Sequence, residues 1–175
     1  MDPPIQRLDA RSFQVVLASL PGWSAKILKD SPGVLFQYVD EPARTDKATI
    51  GVFRLVVPAN ARNASLVQLG EAYAIDDLAG AQVALFKLKS RLMLVSRAPE
   101  AFSGGQLLSY MEDVDAQDAR SRTTKFVRAW VFFPKSYAQD GGFYLVLGHE
   151  TFRDMQLRPV QLERATEIIA GLHEP

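Results

Sequence analysis

Lys125-Phe-Val-Arg-Ala-Trp-Val-Phe-Phe133 runs into Pro134 and a polar turn ending at Gly141-Gly142, and the chain then returns as Phe143-Tyr-Leu-Val-Leu-Gly148. Both runs are rich in β-branched and aromatic residues, and their period of two marks them as paired strands. From Pro159 onward the apolar period lengthens to about 3.6, the period of a helix. Leu162, Ala165, Ile169 and Leu172, with Ile168 beside them, form the buried stripe, leaving Arg158, Glu163, Arg164 and Glu167 to water. Pro159 falls in the first turn, where its missing amide costs little. These signals predict a C-terminal amphipathic helix over 160–172, packed on an antiparallel sheet.

The upstream sequence extends this plan. Residues 12–19 read as a strand with Phe13, Val15 and Leu17 on one side, ending at Pro21-Gly22. In 23–29, Trp23, Ala25 and Ile27 alternate with Ser24 and Lys26. After the turn signal Ser31-Pro32-Gly33, residues 34–39 and 48–57 form a long hairpin joined by polar residues 40–47 and closed by Pro58. Ser65-Leu-Val-Gln68 has the spacing of a capping box. Leu66, Leu69 and Tyr73 follow on one helical face, with Gly80 as a stop. Residues 82–96 fit either a continued helix (Val83, Leu85, Leu88, Leu92) or a strand at Leu92-Met-Leu-Val-Ser96, and Pro99 breaks either one. Ser103-Gly104-Gly105 is a turn before a strand over 106–112 that carries Leu108 and Tyr110 on one face, and 113–124 is a charged hairpin loop. Pro3 and Pro4 suggest a flexible N-terminal arm over 1–12, leaving 13–175 as a single domain. Strands, a central helix, more strands and a terminal helix make an α+β fold, an antiparallel sheet flanked by helices in an α/β/α sandwich.

Bulk properties exclude several function classes. With 47% hydrophobic and 23% charged residues, the 175-residue chain can bury a core and is not a disordered polymer. Basic and acidic residues number 20 each, so no net field draws the whole molecule to nucleic acid or an anionic membrane. The lack of cysteine removes disulfides, thiolate catalysis, iron–sulfur clusters and the usual structural zinc sites. No run of about 18 apolar residues is present to span a membrane as a helix. Met1-Asp-Pro-Pro-Ile-Gln-Arg7 lacks the layout of a signal peptide. Two locations fit: the cytoplasm as written, or the cell envelope if a signal or lipoprotein segment has been removed.

The chemistry-bearing residues are sparse. His149 could act as a general base oriented by Glu150, Asp154 or a distant carboxylate, but His149-Glu-Thr-Phe-Arg153 lacks the second histidine of a zinc-protease helix. Glu112, Asp113, Asp115 and Asp118 invite a calcium reading. That loop lacks the required glycine and terminal glutamate, and Arg120, Arg122 and Lys125 can neutralise it, so a solvated tip is the better account. Gly104-Gly105 and Gly141-Gly142 lack phosphate-loop spacing and read as turns. No catalytic residue, cofactor site or metal site is assigned. Phe126, Arg128, Trp130 and Phe132 share a strand face that Tyr144 on the neighbouring strand can join. Under a helix that face is core. Left open it is an aromatic binding surface, to which His149 is added as a loop residue.

In the order of its elements the chain resembles the PsbP-like fold. The resembling parts are Pro21-Gly22-Trp23 opening a strand, the hairpin over 34–57, the helix from Ser65, the pair 126–133 and 143–148, and the helix over 160–172. That group includes the extrinsic PsbP subunit of photosystem II, bacterial envelope lipoproteins and a nuclear-import factor that binds the Ran GTPase. The resemblance implies a non-catalytic binding or assembly-accessory protein of bacterial type, with a protein partner, no cofactor and no enzyme activity. One alternative is a carrier holding a small hydrophobic ligand between the sheet and the C-terminal helix. A second is a His149-dependent hydrolase or isomerase. Nucleic acid is not expected as a partner, and the sequence leaves the oligomeric state open.

Overall fold

Alternating apolar runs become strands almost wherever they occur. The computed structural model describes residues 2–29, 33–39, 47–74, 92–94, 98–112, 123–153 and 161–174. In chain order the strands are β1 (Ile5–Asp9), β2 (Gln14–Ala18), β3 (Trp23–Ile27), β4 (Gly33–Val39) and β5 (Lys47–Val56). Helix α1 (Leu66–Ala74) follows, then β6 (Leu92–Leu94), β7 (Glu100–Phe102), β8 (Gly105–Glu112) and β9 (Thr123–Phe133). A short turn of helix, α2 (Tyr137–Asp140), leads into β10 (Gly142–Arg153). A 3-10 turn (Gln161–Arg164), α3 (Ala165–Ala170) and β11 (Leu172–His173) complete the described chain.

The main sheet runs β3-β4-β5-β10-β9-β8-β6 with β7 paired to β8, and every pairing is antiparallel. A smaller sheet has the order β1-β2-β11. Alternation sorts the main sheet's side chains onto two faces, each with its own cover. On one face Val34, Phe36, Ile50, Val52, Trp130, Phe132, Tyr144 and Val146 pack against Phe13, Val15 and Leu17 of the small sheet and Leu162, Ala165, Ile168 and Ile169 of the C-terminal segment. On the other, Phe53, Leu108, Tyr110, Val131, Phe133, Phe143, Leu145 and Leu147 pack against α1 through Leu66, Val67, Leu69 and Tyr73. The fold is therefore α+β, with an antiparallel sheet buried on both sides. Among the described residues, no helix is long and apolar enough to cross a membrane.

The helix start at Ser65 forms as read. The Ser65 amide donates to Gln68 Oε1 at 3.0 Å, and the Gln68 amide donates back to Ser65 Oγ at 3.1 Å. Helix α1 then approaches the sheet at Gly70, whose missing side chain leaves room for Leu108 and the Tyr110 hydroxyl.

Three expectations are corrected. Residues 5–9 are not a loose arm: they pair with β2, Leu8 packs against the core, and Arg7 donates to Gln14 Oε1 at 3.0 Å. His149 and Glu150 do not follow a strand but lie within β10, because β5 and β9 both continue alongside them. The helix over 160–172 is shorter, a 3-10 turn followed by α3. Gly171 caps it by donating to the Ile168 carbonyl at 3.0 Å, and it packs so closely on the Val16 carbonyl that no side chain fits. Leu172 and His173 consequently turn into β11 and pair with Val15 and Gln14. Within 82–96 the described part, Leu92–Leu94, is a strand. The turn at Ser31-Pro32, the loop 40–46, Gly80, the acidic loop after Glu112, Asp154 and Pro159 lie outside the described residues.

Candidate functional site

The register of β9 against β10 sets Phe132 opposite Tyr144, Trp130 opposite Val146, Arg128 opposite Gly148 and Phe126 opposite Glu150. Arg128, Trp130, Phe132 and Tyr144 thus share one face, as the alternation requires. That face does not present three exposed aromatics. Trp130, Phe132 and Tyr144 are buried at 2%, 3% and 1% exposure, because the small sheet and the C-terminal segment cover them. The side chain of Phe126 lies outside the described ones. His149 falls on the opposite face, between Thr49 and Val127 in register, so the structure does not bring it to Arg128.

Arg128 occupies the margin of the covered region. Its guanidinium carbon lies 5.1 Å from the centre of the Trp130 ring, a cation–π arrangement. The Nε is buried and has no hydrogen-bond partner. Burial pulls the guanidinium pKa below its ordinary value, and the nearby Glu163 carboxylate opposes that shift. On the other side, β8 sets Met111 opposite Arg128 and Ser109 opposite Trp130. Met111 is 39% exposed, one of the few large apolar side chains that reach solvent among the described residues. Gly148 helps to create this margin. A side chain there would meet Leu162 at 2.9 Å and the Trp130 ring at 3.4 Å.

Glu150 fixes the segment that lies over this margin. It is the buried charged residue of the described core, at 2% exposure. Its carboxylate accepts hydrogen bonds from the Gln161 amide at 3.0 and 3.2 Å and from the Leu162 amide at 3.1 Å. Those are among the amides that a helix start leaves without intrahelical acceptors. A strand residue thus caps the C-terminal helical segment, holding Leu162 in the core it shares with Trp130 and Glu163 near enough to Arg128 to act on its charge.

At the other end of the same face, Tyr144 belongs to a polar tie. Its hydroxyl donates to Glu174 Oε1 at 3.1 Å, and Ser136 Oγ donates to the same oxygen at 3.4 Å. Arg54 Nη2 bridges Glu174 and Asp140, at 3.2 Å to each. Burial and then the Glu174 carboxylate raise the Tyr144 phenol pKa well above its ordinary value. The tie holds the C-terminal segment to the sheet and offers no activated nucleophile.

Among the described residues, no group of three His, Cys, Asp or Glu side chains is placed to hold a metal ion. Met111, Ser109 and Glu163 were not singled out by the sequence. Alternation along β8 does put Ser109 and Met111 opposite the Leu108/Tyr110 face, but only the strand order sets them beside Arg128.

No family model matches the sequence, and no curated protein matches it. Among solved structures, the chain is similar to the solution structure of cyanobacterial PsbP from Synechocystis sp. PCC 6803. The TM-score is 0.50, the identity 16%, and the match covers 98% of this chain and 92% of that one. At this identity the likeness concerns the fold, and the fold is PsbP-like.

Proposed function

We propose that this PsbP-like chain is a non-catalytic binding or assembly-accessory protein, and that its protein partner docks on the β8–β9 margin around Met111 and Arg128. The observation that carries this reading is the exposed Met111 beside a half-buried guanidinium stacked on Trp130. An apolar side chain next to a partly desolvated arginine is the composition of an interface centre rather than of ordinary surface. A carrier would need space between the sheet and the C-terminal helix. Phe13, Trp130, Phe132, Tyr144, Leu162 and Ile168 occupy that position. A His149 base paired with Glu150 finds no support, since the two alternate to opposite faces and the Glu150 carboxylate binds helix amides.

A photo-crosslinking amino acid placed at Met111 in the native host tests the reading. A discrete adduct is expected at 111 and not at the control position Lys26, which lies on the edge strand across the sheet. Equal labelling from both positions, or no adduct at 111, would remove the proposal.

A further inference from the structure

We infer that the β8–β9 margin recognises a carboxylate, the side chain of an acidic residue on a protein partner, through the guanidinium of Arg128; this rests on the reading of the margin as a docking surface.

The geometry points to an anion. Arg128 is half-buried on Trp130, and its buried Nε–H has no acceptor. A partly desolvated cation with an unpaired Nε–H is costly to keep, and an anion docked on the solvent-facing edge of the guanidinium recovers part of that cost. The planar guanidinium fork matches a carboxylate, which it can hold through two parallel hydrogen bonds.

The surroundings narrow the class. Exposed Met111 makes the approach partly apolar, so an incoming group must shed water, and a dianionic phosphate sheds it less readily than a carboxylate. Glu163 faces the same guanidinium, and its like charge penalises a dianion more than a monoanion. Met111 presents an exposed thioether at this place, an adaptable apolar contact of the kind a protein partner uses.

The test uses the full chain labelled with nitrogen-15, following the Arg128 Nε–Hε resonance by NMR at constant ionic strength. The probes are sodium acetate, inorganic phosphate, and two capped tripeptides, Gly-Glu-Gly and Gly-Gln-Gly. Acetate and the Glu peptide should produce a saturable shift that the Gln peptide does not. Arg128→Gln should weaken the effect about tenfold or more, the loss expected for a charge-assisted hydrogen bond. Arg128→Lys keeps the charge but loses the fork, so it should bind less well than wild type. Glu163→Gln should tighten acetate binding by removing the competing charge.

Should Arg128→Gln fail to fold, the Arg128→Lys and Glu163→Gln titrations decide. Stronger binding of phosphate than of acetate overturns the carboxylate assignment, as does the absence of any shift. A partner adduct at 111 alongside either result leaves the docking surface standing and removes only its carboxylate chemistry.

Discussion

Replacing Glu150 by alanine should destabilise this protein far more than the loss of one strand residue would suggest. The side chain is almost completely buried and its oxygens receive the amides of Gln161 and Leu162 at 3.0 to 3.2 Å. Hydrogen bonds to a charged group contribute about 1.5–3 kcal/mol each, and a buried amide left unsatisfied costs about 1–3 kcal/mol. Leu162 is buried, so its amide finds no water in the variant, whereas Gln161 is half-buried and recovers part of its loss. Relief of the carboxylate's own desolvation offsets some of the remainder. The expected net cost is about 2–4 kcal/mol for Glu150→Ala. Glu150→Gln retains one acceptor oxygen without the charge, so it should cost about half as much. Urea unfolding followed by tryptophan fluorescence measures this directly. With a slope of about 1–3 kcal/mol per molar, the alanine variant's midpoint should fall by roughly 1–2 M at unchanged slope. Hydrogen exchange should show lost protection at the Leu162 amide. A Glu150→Ala midpoint indistinguishable from wild type would show that the carboxylate does not hold the C-terminal segment, and the account of how Glu163 is placed would fall with it.

Three further outcomes follow from other contacts. Gly70→Ala should destabilise by about 1–3 kcal/mol despite alanine's better helix propensity, because the new methyl meets Leu108 at 2.7 Å and the Tyr110 hydroxyl. Adding Tyr110→Phe should recover part of that loss, since the removed hydroxyl has no hydrogen-bond partner; chemical denaturation of the single and double variants checks both, and a double variant no better than Gly70→Ala would refute it. Ser65→Ala should cost about 1 kcal/mol through loss of the capping box, measured the same way, with no change at all counting against the cap. Burial first, then Glu174 at Tyr144 and Glu71 at Tyr110, raises two phenol pKa values, and burial raises that of Tyr137. A raised folded pKa means that this stability is fully present below the unfolded value near 10 and is lost as pH climbs above it. Absorbance at 295 nm should show these tyrosinates appearing only as the far-ultraviolet circular dichroism collapses. Ionisation of all five tyrosines near pH 10 with the fold intact would contradict the burial argument.

Local signals were legible and pairwise ones were not. The strands within 125–133 and 106–112 could be read because alternation is a property of neighbouring residues, and the Ser65/Gln68 cap because its partners are three apart. The full length of β10 escaped notice. Gly148 and the polar His149-Glu150-Thr151 look like a strand end, and only the continuing partners β5 and β9 keep them in the ladder. β1 was hidden behind Pro3 and Pro4, since what makes it a strand is β2. For the candidate site, alternation correctly set Arg128, Trp130 and Phe132 on one face. It could not say where the cover stops, which separates core Trp130 from exposed Met111. The tie from Arg54 to Glu174 joins residues 120 positions apart, and no periodicity in either segment announces it.

The small sheet has a consequence for how the chain is made. β2 lies between β1 and β11, so during synthesis its second edge stays unpaired until a strand more than 150 residues downstream has emerged. Until residues 161–174 emerge, Phe13, Val15 and Leu17 lack the Leu162, Ile168 and Ile169 side chains that share their core. Pairing across so much sequence is slow, and an apolar face left uncovered during synthesis invites aggregation. Closure of this core therefore depends on residues 161–174, and damage there should lower soluble yield before it alters any surface a partner could read.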